Sequence, residues 1–221
     1  MIEFKKVTKR YANGHLALSE INFRINQGEM AFLTGHSGAG KSTVLKLIAL
    51  LERCTRGQIL INDYNINDIP ERKIPLLRRA VGFIYQQPHL LPERTVYDNV
   101  ALPLIIGAYT RHEVQRRVHA ALDKVGLSKK EKYFPPALSC GEQQRVGIAR
   151  AIVSKPPLLL ADEPTGNLDP ELSADMMRLF QQFNQAGVAL LIASHDINLI
   201  STTNKRVITL KEGEIISDVG E

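Results

Sequence analysis

"GHSGAGKST", Gly35 to Thr43, stands between the short apolar run "MAFLT" and the helical pattern "STVLKLIALL". It satisfies G-x-x-x-x-G-K-[ST] in the strand–loop–helix setting that gives the pattern meaning. Glycines let the backbone fold around phosphate oxygens and aim N–H groups at them, and the start of the following helix adds its positive end. The spacing predicts a nucleotide-phosphate site built from Gly35, Ser37, Gly38, Ala39, Gly40, Lys41, Ser42 and Thr43. Lys41 is placed to reach the β- and γ-phosphates, and Ser42 to offer its hydroxyl to Mg²⁺. A glycine turn before an ordinary helix is the plainer alternative. At average glycine frequency the full pattern arises by chance in about 1% of chains this long.

A magnesium nucleotide site needs acidic groups as well. "LLLADEP", Leu158 to Pro164, is an apolar run ending in two of them. A strand of that kind presents carboxylates at the carboxyl edge of a parallel sheet. Asp162 is expected to hold Mg²⁺ through water, and Glu163 to polarise an attacking water as general base. By itself the run could equally be a strand with acidic surface residues. Downstream of a phosphate loop it gains its meaning.

Other strand-length runs, "VGFIY", "VALLIA" and "VITL", are also continuously apolar, as strands covered on both faces are. Helical patterns lie between them. Val114, Val118, Ala121, Leu122 and Val125 share one face of a 3.6-residue period, as do Leu172, Met176, Leu179, Phe180 and Phe183. Alternation of this sort implies a parallel sheet wrapped by helices. Between about Pro88 and Ala151 the alternation gives way to a mostly helical pattern punctuated by Pro92, Pro103, Pro135 and Pro136. The first 25 or so residues and "GQILIND", Gly57 to Asp63, read as short antiparallel strands.

The 221 residues, 44% of them apolar, suit one domain with a substantial core. Lys+Arg 28 against Asp+Glu 23 leaves +5, which suits phosphate ligands or an anionic membrane face. It is too small a surplus for a protein that coats DNA, and no nucleic-acid partner is expected. Cys54 and Cys140 form neither a CxxC pair nor a metal spacing, so a reducing cytosol is expected. "MIEFKKVTKRY" is charged too early for a signal peptide. "ALPLIIGA", Ala101 to Ala108, contains Pro103 and falls far short of the ~20 residues that cross a bilayer. The expectation is a soluble chain, held at a membrane only by a partner.

"LSCGEQQRVGIARA", Leu138 to Ala151, begins a helix just before the acidic strand. Ser139 offers a hydroxyl and Gly141 an approachable N–H at the helix start, a phosphate-binding concavity unless it is an ordinary cap. The run resembles the LSGGQ signature of ATP-binding cassette proteins, and further features resemble that family in the expected order. Tyr11 precedes the phosphate loop, Gln86 closes "VGFIYQ", "GNLD" ends in Asp169, and His195 follows "VALLIA" in "IASHD". Singly these would be a packing aromatic, a surface amide, a helix cap and a loop histidine. Together they cover essentially the whole chain.

That resemblance implies an α/β P-loop ATPase of one domain, residues 1–221. It would carry a small antiparallel β subdomain and an inserted helical subdomain at about 87–151 that bears the signature. It implies adenine stacked on Tyr11, and Mg²⁺ held by Ser42, Gln86 and, through water, Asp162. ATP hydrolysis would rest on Glu163, His195, Lys41 and Gln86. Ser139, Gly141, Glu142 and Asp169 would complete the ATP site of a second copy, making the working unit a head-to-tail homodimer around two ATP molecules. Cys140 departs from the family's usual glycine. Its thiol is small and its neighbours Ser139 and Gly141 are intact, so the signature is expected to function.

The long runs "GEMAFLTGHSGAGKST", "RTVYDNVALPLII", "AALDKVGL", "GEQQRVGIARAIV" and "LLADEPTGNLDP" resemble the bacterial cell-division branch of the family. This implies an FtsX-like integral membrane partner, a place among other division proteins at the septum, and a location on the cytoplasmic face of the membrane. The partner's helix would dock on "QQPHLLPERTVYDNVALPL", Gln86 to Leu104, with Leu90, Leu91, Arg94 and Tyr97 gripping it. The alternative is the ATPase subunit of an exporter or lipoprotein-release transporter, whose cassettes share "ADEPTGNLD".

Overall fold

The computed structural model describes residues 1–166 and 168–220. Two sheets organise them. Strands β1 (Ile2–Arg10), β2 (Leu16–Ile25), β4 (Arg56–Ile61) and β5 (Tyr64–Asn65) form an antiparallel sheet in the order β2-β1-β4-β5. Strands β3 (Met30–Thr34), β6 (Val81–Ile84), β7 (Leu158–Asp162), β8 (Ala189–Ala193), β9 (Arg206–Lys211) and β10 (Glu214–Val219) form the second, ordered β10-β9-β3-β8-β7-β6. All its pairings are parallel except the β9–β10 hairpin at one edge. The expected parallel sheet is present. The first two antiparallel strands are longer than expected, at nine and ten residues, and irregular register between them absorbs the length.

The continuous apolar runs follow from burial on both faces. Alternate residues of the parallel strands enter two different cores. Ala31, Leu33, Leu158, Leu160, Leu191 and Ile208 join the side that includes helix α1 (Lys41–Ile48) and the antiparallel sheet. Phe32, Leu159, Ala161, Leu190 and Ile192 pack on the opposite side. There they meet α3 (Val96–Ile106), α4 (Arg111–Lys124), α5 (Cys140–Ile152) and α6 (Pro170–Gln185). Helix α2 (Ile74–Arg79), which the sequence pattern does not announce, leans Ile74 and Leu77 on the first core. The short α7 (Ile197–Ser201) follows β8.

Local chemistry sets the helix starts. Thr95, Thr110 and Ser139 each accept a hydrogen bond from the backbone N–H three residues on, where Asp98, Glu113 and Glu142 return the bond. These capping boxes satisfy donors that a bare helix start leaves open, each worth about 1 kcal/mol. Asp169 caps α6 through Leu172 N, and Pro170 fills the first turn. On α4, Val114, Val118, Ala121 and Leu122 are buried as the periodicity requires. On α6, Met176 and Phe180 are buried, whereas Leu172, Leu179 and Phe183 are only partly so; Met177 and Ser173 take the remaining inner positions.

Sheet order positions the site. Strand β8 lies between β3 and β7, and Ala193 at its end is level with both Leu33 and Asp162. The loops after Thr34, Asp162 and Ala193 therefore leave one edge of the sheet side by side. This is where open parallel sheets place ligands.

Candidate nucleotide site

At that edge lies a cavity of about 520 Å³ lined by Tyr11, Ser37, Gly38, Gly40, Lys41, Ser42, Thr43, Gln86, Glu163 and His195. Residues expected from five separate stretches of sequence thus meet in one place. His36 of the phosphate loop lines it as well, as do His15 and Ala17, which no sequence motif singled out.

The loop is shaped by glycine where nothing else fits. Gly35 has φ +142, and a β-carbon there would fall 2.2 Å from the Leu210 carbonyl oxygen. Gly38 has φ +81 with nothing within 4 Å of its β-carbon position, so its demand is conformational and its outer face is open. Ala39 is fully buried, its N–H donating to His36 O and its carbonyl accepting from Gly213 N. It shapes the loop from behind, and its N–H is committed within the turn.

Lys41, nearly buried, donates from Nζ to Gly35 O at 2.7 Å and His36 O at 3.3 Å, and lies 3.4 Å from Glu163 Oε1. Across the carboxylate, His195 Nδ1 is 2.8 Å from Glu163 Oε2, and the His195 backbone N–H donates to the same oxygen at 3.3 Å. Glu163 itself has φ +46, a left-handed conformation that a residue with a β-carbon adopts at a cost of order 1–3 kcal/mol. That turn swings its side chain out of line with β7 and between lysine and histidine.

Ser42 Oγ donates to Asp162 Oδ1 at 2.9 Å. Burial pushes the Asp162 carboxyl above its ordinary range; the Ser42 hydrogen bond opposes this, and the neighbouring Glu163 charge reinforces it. The Ser42 hydroxyl and the Gln86 amide line the cavity, and the desolvated Asp162 carboxylate stands behind Ser42, together a set of hard oxygen donors of the kind Mg²⁺ takes. The residues fit that ion.

Tyr11 closes the far end. Its hydroxyl is 3.3 Å from Thr43 Oγ1, and Lys9 Nζ sits 4.8 Å from its ring centroid. The His15 ring lies nearly parallel to it at 12°, centroids 6.4 Å apart.

Ser139, Gly141, Glu142 and Asp169 are absent from this cavity's lining, as are Gly35, Ala39 and Asp162. Within the chain they organise helices. Ser139 and Glu142 form the box that starts α5, Glu142 pairs with Lys130, and Asp169 caps α6. The Lys130 ion pair and then the Ser139 backbone N–H hold the Glu142 carboxyl below its usual range. Gly141 lets α5 approach α6: a β-carbon on it would meet Leu172 Cδ2 at 2.1 Å. Cys140 is exposed between them. Asn167 of "GNLD" lies outside the described residues.

Sequence reasoning also missed Asn99, which is fully buried and ties down the loop before α3. It accepts from Leu91 N and donates to the carbonyls of Leu91, Arg94 and Thr95. An asparagine in a helical run carries no such signal by itself.

Phosphate loop, strand-end carboxylates and histidine converging at the carboxyl edge of a parallel sheet define a P-loop ATPase. The chain belongs to the ABC transporter family, whose family model matches residues 18–166. It is 56% identical over 220 residues to the cell division ATP-binding protein FtsE of Escherichia coli strain K12, spanning 100% of this chain and 99% of that one. To the protein of that name from Bacillus subtilis strain 168 it is 44% identical over 218 residues, 99% of this chain and 96% of the relative. Among solved structures it matches a dimeric bacterial ABC transporter cassette with TM-score 0.92 and 38% identity, covering 100% of this chain and 98% of that chain. A dimeric post-hydrolysis cassette bound to ADP and Pi matches with TM-score 0.91 and 37% identity, again over 100% and 98% of the two chains.

Proposed function

We propose that this chain is the ATP-hydrolysing subunit of a membrane-bound complex of cell division, working as a head-to-tail homodimer with an FtsX-like integral membrane partner. The observation that carries the chemistry is the Glu163 carboxylate held between Lys41 and His195 at the mouth of the phosphate loop. In the working site, Lys41 and the loop N–H groups bind the ATP phosphates, and Tyr11 supports the base. Glu163 orients the attacking water and accepts its proton, and His195 keeps the carboxylate aimed while reaching the γ-phosphate. Ser42, Gln86 and, through water, Asp162 hold Mg²⁺, which neutralises phosphate charge when bound. Such catalysis is mostly positioning and electrostatics.

Ser139, Gly141 and Glu142 at the start of α5, with Asp169, meet the ATP held by the second copy. The segment 87–151 then acts as a helical subdomain of one cassette spanning 1–221. ATP binding favours the closed dimer because both copies contact it, and hydrolysis removes the bias. No helix among the described residues is long and apolar enough to cross a membrane, so the motion is delivered to a partner. Arg94 and Leu91 are exposed on the loop after Gln86, Leu91 to 43%, and offer that partner an apolar and cationic grip. The site of action is the cytoplasmic face of the membrane at the septum, where the complex controls cell-wall hydrolysis.

Two measurements test this reading. Glu163→Gln should slow ATP hydrolysis by roughly 100-fold or more, the usual scale for losing a general base; wild-type turnover would remove Glu163 from that role. The same variant, loaded with ATP and used to capture partners from gently solubilised membranes, should retain a membrane protein with few spans and a large extracytoplasmic domain. Recovery of a transporter with a substrate pathway, or of a captured lipoprotein, moves the assignment to the exporter class.

A further inference from the structure

The loop after β6 has carbonyls that no sheet or helix ladder uses, and α5 takes them with side chains. Gln144, 3% exposed, donates from Nε2 to Tyr85 O at 3.0 Å. Arg150 donates from Nη1 to His89 O at 3.1 Å and from Nη2 to Pro88 O. Between them Gly147 gives Pro88 room: a β-carbon there would stand 2.8 Å from Pro88 Cβ. Positions 144, 147 and 150 are three apart, so they form one stripe of the helix. That stripe grips the chain just before and just after Gln86, whose side chain lines the nucleotide cavity. The Arg150 guanidinium is held by carbonyl oxygens, and burial pushes its pKa down from the usual value. A partly buried cation destabilises the fold unless its hydrogen bonds are well made.

Helix α5 is 13 residues, about 20 Å of rigid rod. Its start is Ser139 and Gly141, and the stripe from its fifth residue, Gln144, to its eleventh, Arg150, grips the loop that carries Gln86. We propose that Gln144 and Arg150 are positioning residues that fix Gln86 for the metal and link it to the signature end of the same helix. Engagement of Ser139 with the second copy's ATP is then felt at the metal site of the chain that owns the helix. This rests on the cassette reading above, and in particular on Gln86 as a metal ligand.

The test uses Mn²⁺ as the probe, its free concentration read by electron paramagnetic resonance. The protein is the Glu163→Gln chain loaded with ATP. Gln144→Met and Arg150→Met keep length and lose the donors. Each is expected to weaken Mn²⁺ binding roughly tenfold, the scale seen when a group that orients a ligand is lost. Metal-free ADP affinity, measured by calorimetry, should stay within twofold, which also establishes that the variants fold. Arg150→Lys keeps the charge and one donor and should recover part of the loss; it carries the test if a methionine variant is unstable. Combining either change with Gln86→Ala should add nothing, because both act through one side chain. Unchanged Mn²⁺ affinity in the Gln144 and Arg150 variants, or losses that multiply with Gln86→Ala, overturns the positioning role while leaving the cassette reading intact. If Gln86→Ala itself leaves Mn²⁺ affinity unchanged, the metal assignment falls and this inference with it.

Discussion

His195 Nδ1 lies 2.8 Å from Glu163 Oε2, although the histidine side chain is 65% exposed and the glutamate only 14%. A solvated ring therefore reaches inward to hold a shielded carboxylate. The second oxygen faces Lys41 at 3.4 Å, so one carboxylate is bracketed by the lysine ammonium and the histidine ring that phosphate chemistry would use. Removing the ring should leave Glu163 held only by Lys41 and the backbone N–H of residue 195, and so less firmly aimed. His195→Ala is expected to lower the hydrolysis rate by about 10–100-fold, within the range for a group assisting proton transfer. ADP affinity, measured by calorimetry, should stay within about twofold, since His195 meets only the terminal phosphate in the proposed site.

The same bracket has a consequence for binding. Phosphates entering the loop compete with Glu163 for Lys41 and meet its negative charge at short range. Glu163→Gln removes that charge and releases the lysine. Its ADP affinity should rise about 3–10-fold, the size expected of one partly shielded charge. ADP is the right ligand because it is not hydrolysed, so trapping cannot imitate the effect. Equal affinity in the two proteins would mean that the Lys41–Glu163 contact costs nothing to open.

Asp162 titrates with the opposite sense to an ordinary paired carboxylate. Burial raises its pKa in the folded chain, so the folded state holds a proton at pH values where the unfolded state has lost it. Whatever stability this lends is complete below the unfolded value and is lost as pH rises through the raised folded value. At neutral pH the ionised group is a liability that a bound cation relieves. Asp162→Asn should therefore raise the melting temperature of the metal-free protein at neutral pH. Each kcal/mol of relieved penalty is worth about 2–4 °C in a domain of this size. Thermal denaturation across the acid range should also show a flatter profile, and Mg²⁺ should no longer tighten nucleotide binding as in the wild type. A lower melting temperature would show that the Ser42 hydrogen bond outweighs the desolvation.

Ser139 has two separable duties. Its hydroxyl caps α5 within the chain, and in the proposed dimer it touches the second copy's ATP. Ser139→Ala would disturb both. Ser139→Asp preserves a capping oxygen, since serine and aspartate are nearly equal at that position, and sets a negative charge where phosphate is to bind. The expected result is a melting temperature within about 1–2 °C of wild type with ATP-dependent dimerisation lost, read by size-exclusion chromatography on the Glu163→Gln background. Retained dimerisation would reduce Ser139 to a helix cap.

These contrasts show what a sequence carries. The phosphate loop and the Asp162–Glu163 strand end are local: their geometry follows from neighbours a few residues away, so motif and pattern are enough. The parallel sheet was legible too, because strands buried on both faces read as unbroken apolar runs, but its strand order was not. What could not be read depends on distant chain. Gln144 meets Tyr85 across 59 residues and Arg150 meets Pro88 across 62, and in sequence both are merely polar positions on a helix. Gly141 looked like a phosphate contact alone, but its closeness to Leu172 gives it a packing duty within the chain. The lengths of β1 and β2 escaped because irregular register breaks their alternation.

The cysteine that departs from the family signature gives a direct handle on the dimer. Cys140 is exposed at the first turn of α5, whereas Cys54 is only partly exposed, and burial pushes the Cys54 thiol up. The thiolate is the reactive form, so Cys54 should be the slower of the two toward a maleimide. Mass spectrometry at short times should find the label on Cys140, with ATP hydrolysis falling in step because a bulky adduct sits between Ser139 and Gly141. Cys140→Gly should hydrolyse ATP and be insensitive to the reagent. ATP added to the Glu163→Gln chain should slow labelling at least about tenfold, as closing the sandwich hides the thiol at a contact worth more than 1.4 kcal/mol. Labelling that ATP does not slow would place the start of α5 outside the dimer contact, and inhibition that survives in Cys140→Gly would locate the sensitive group at Cys54 instead.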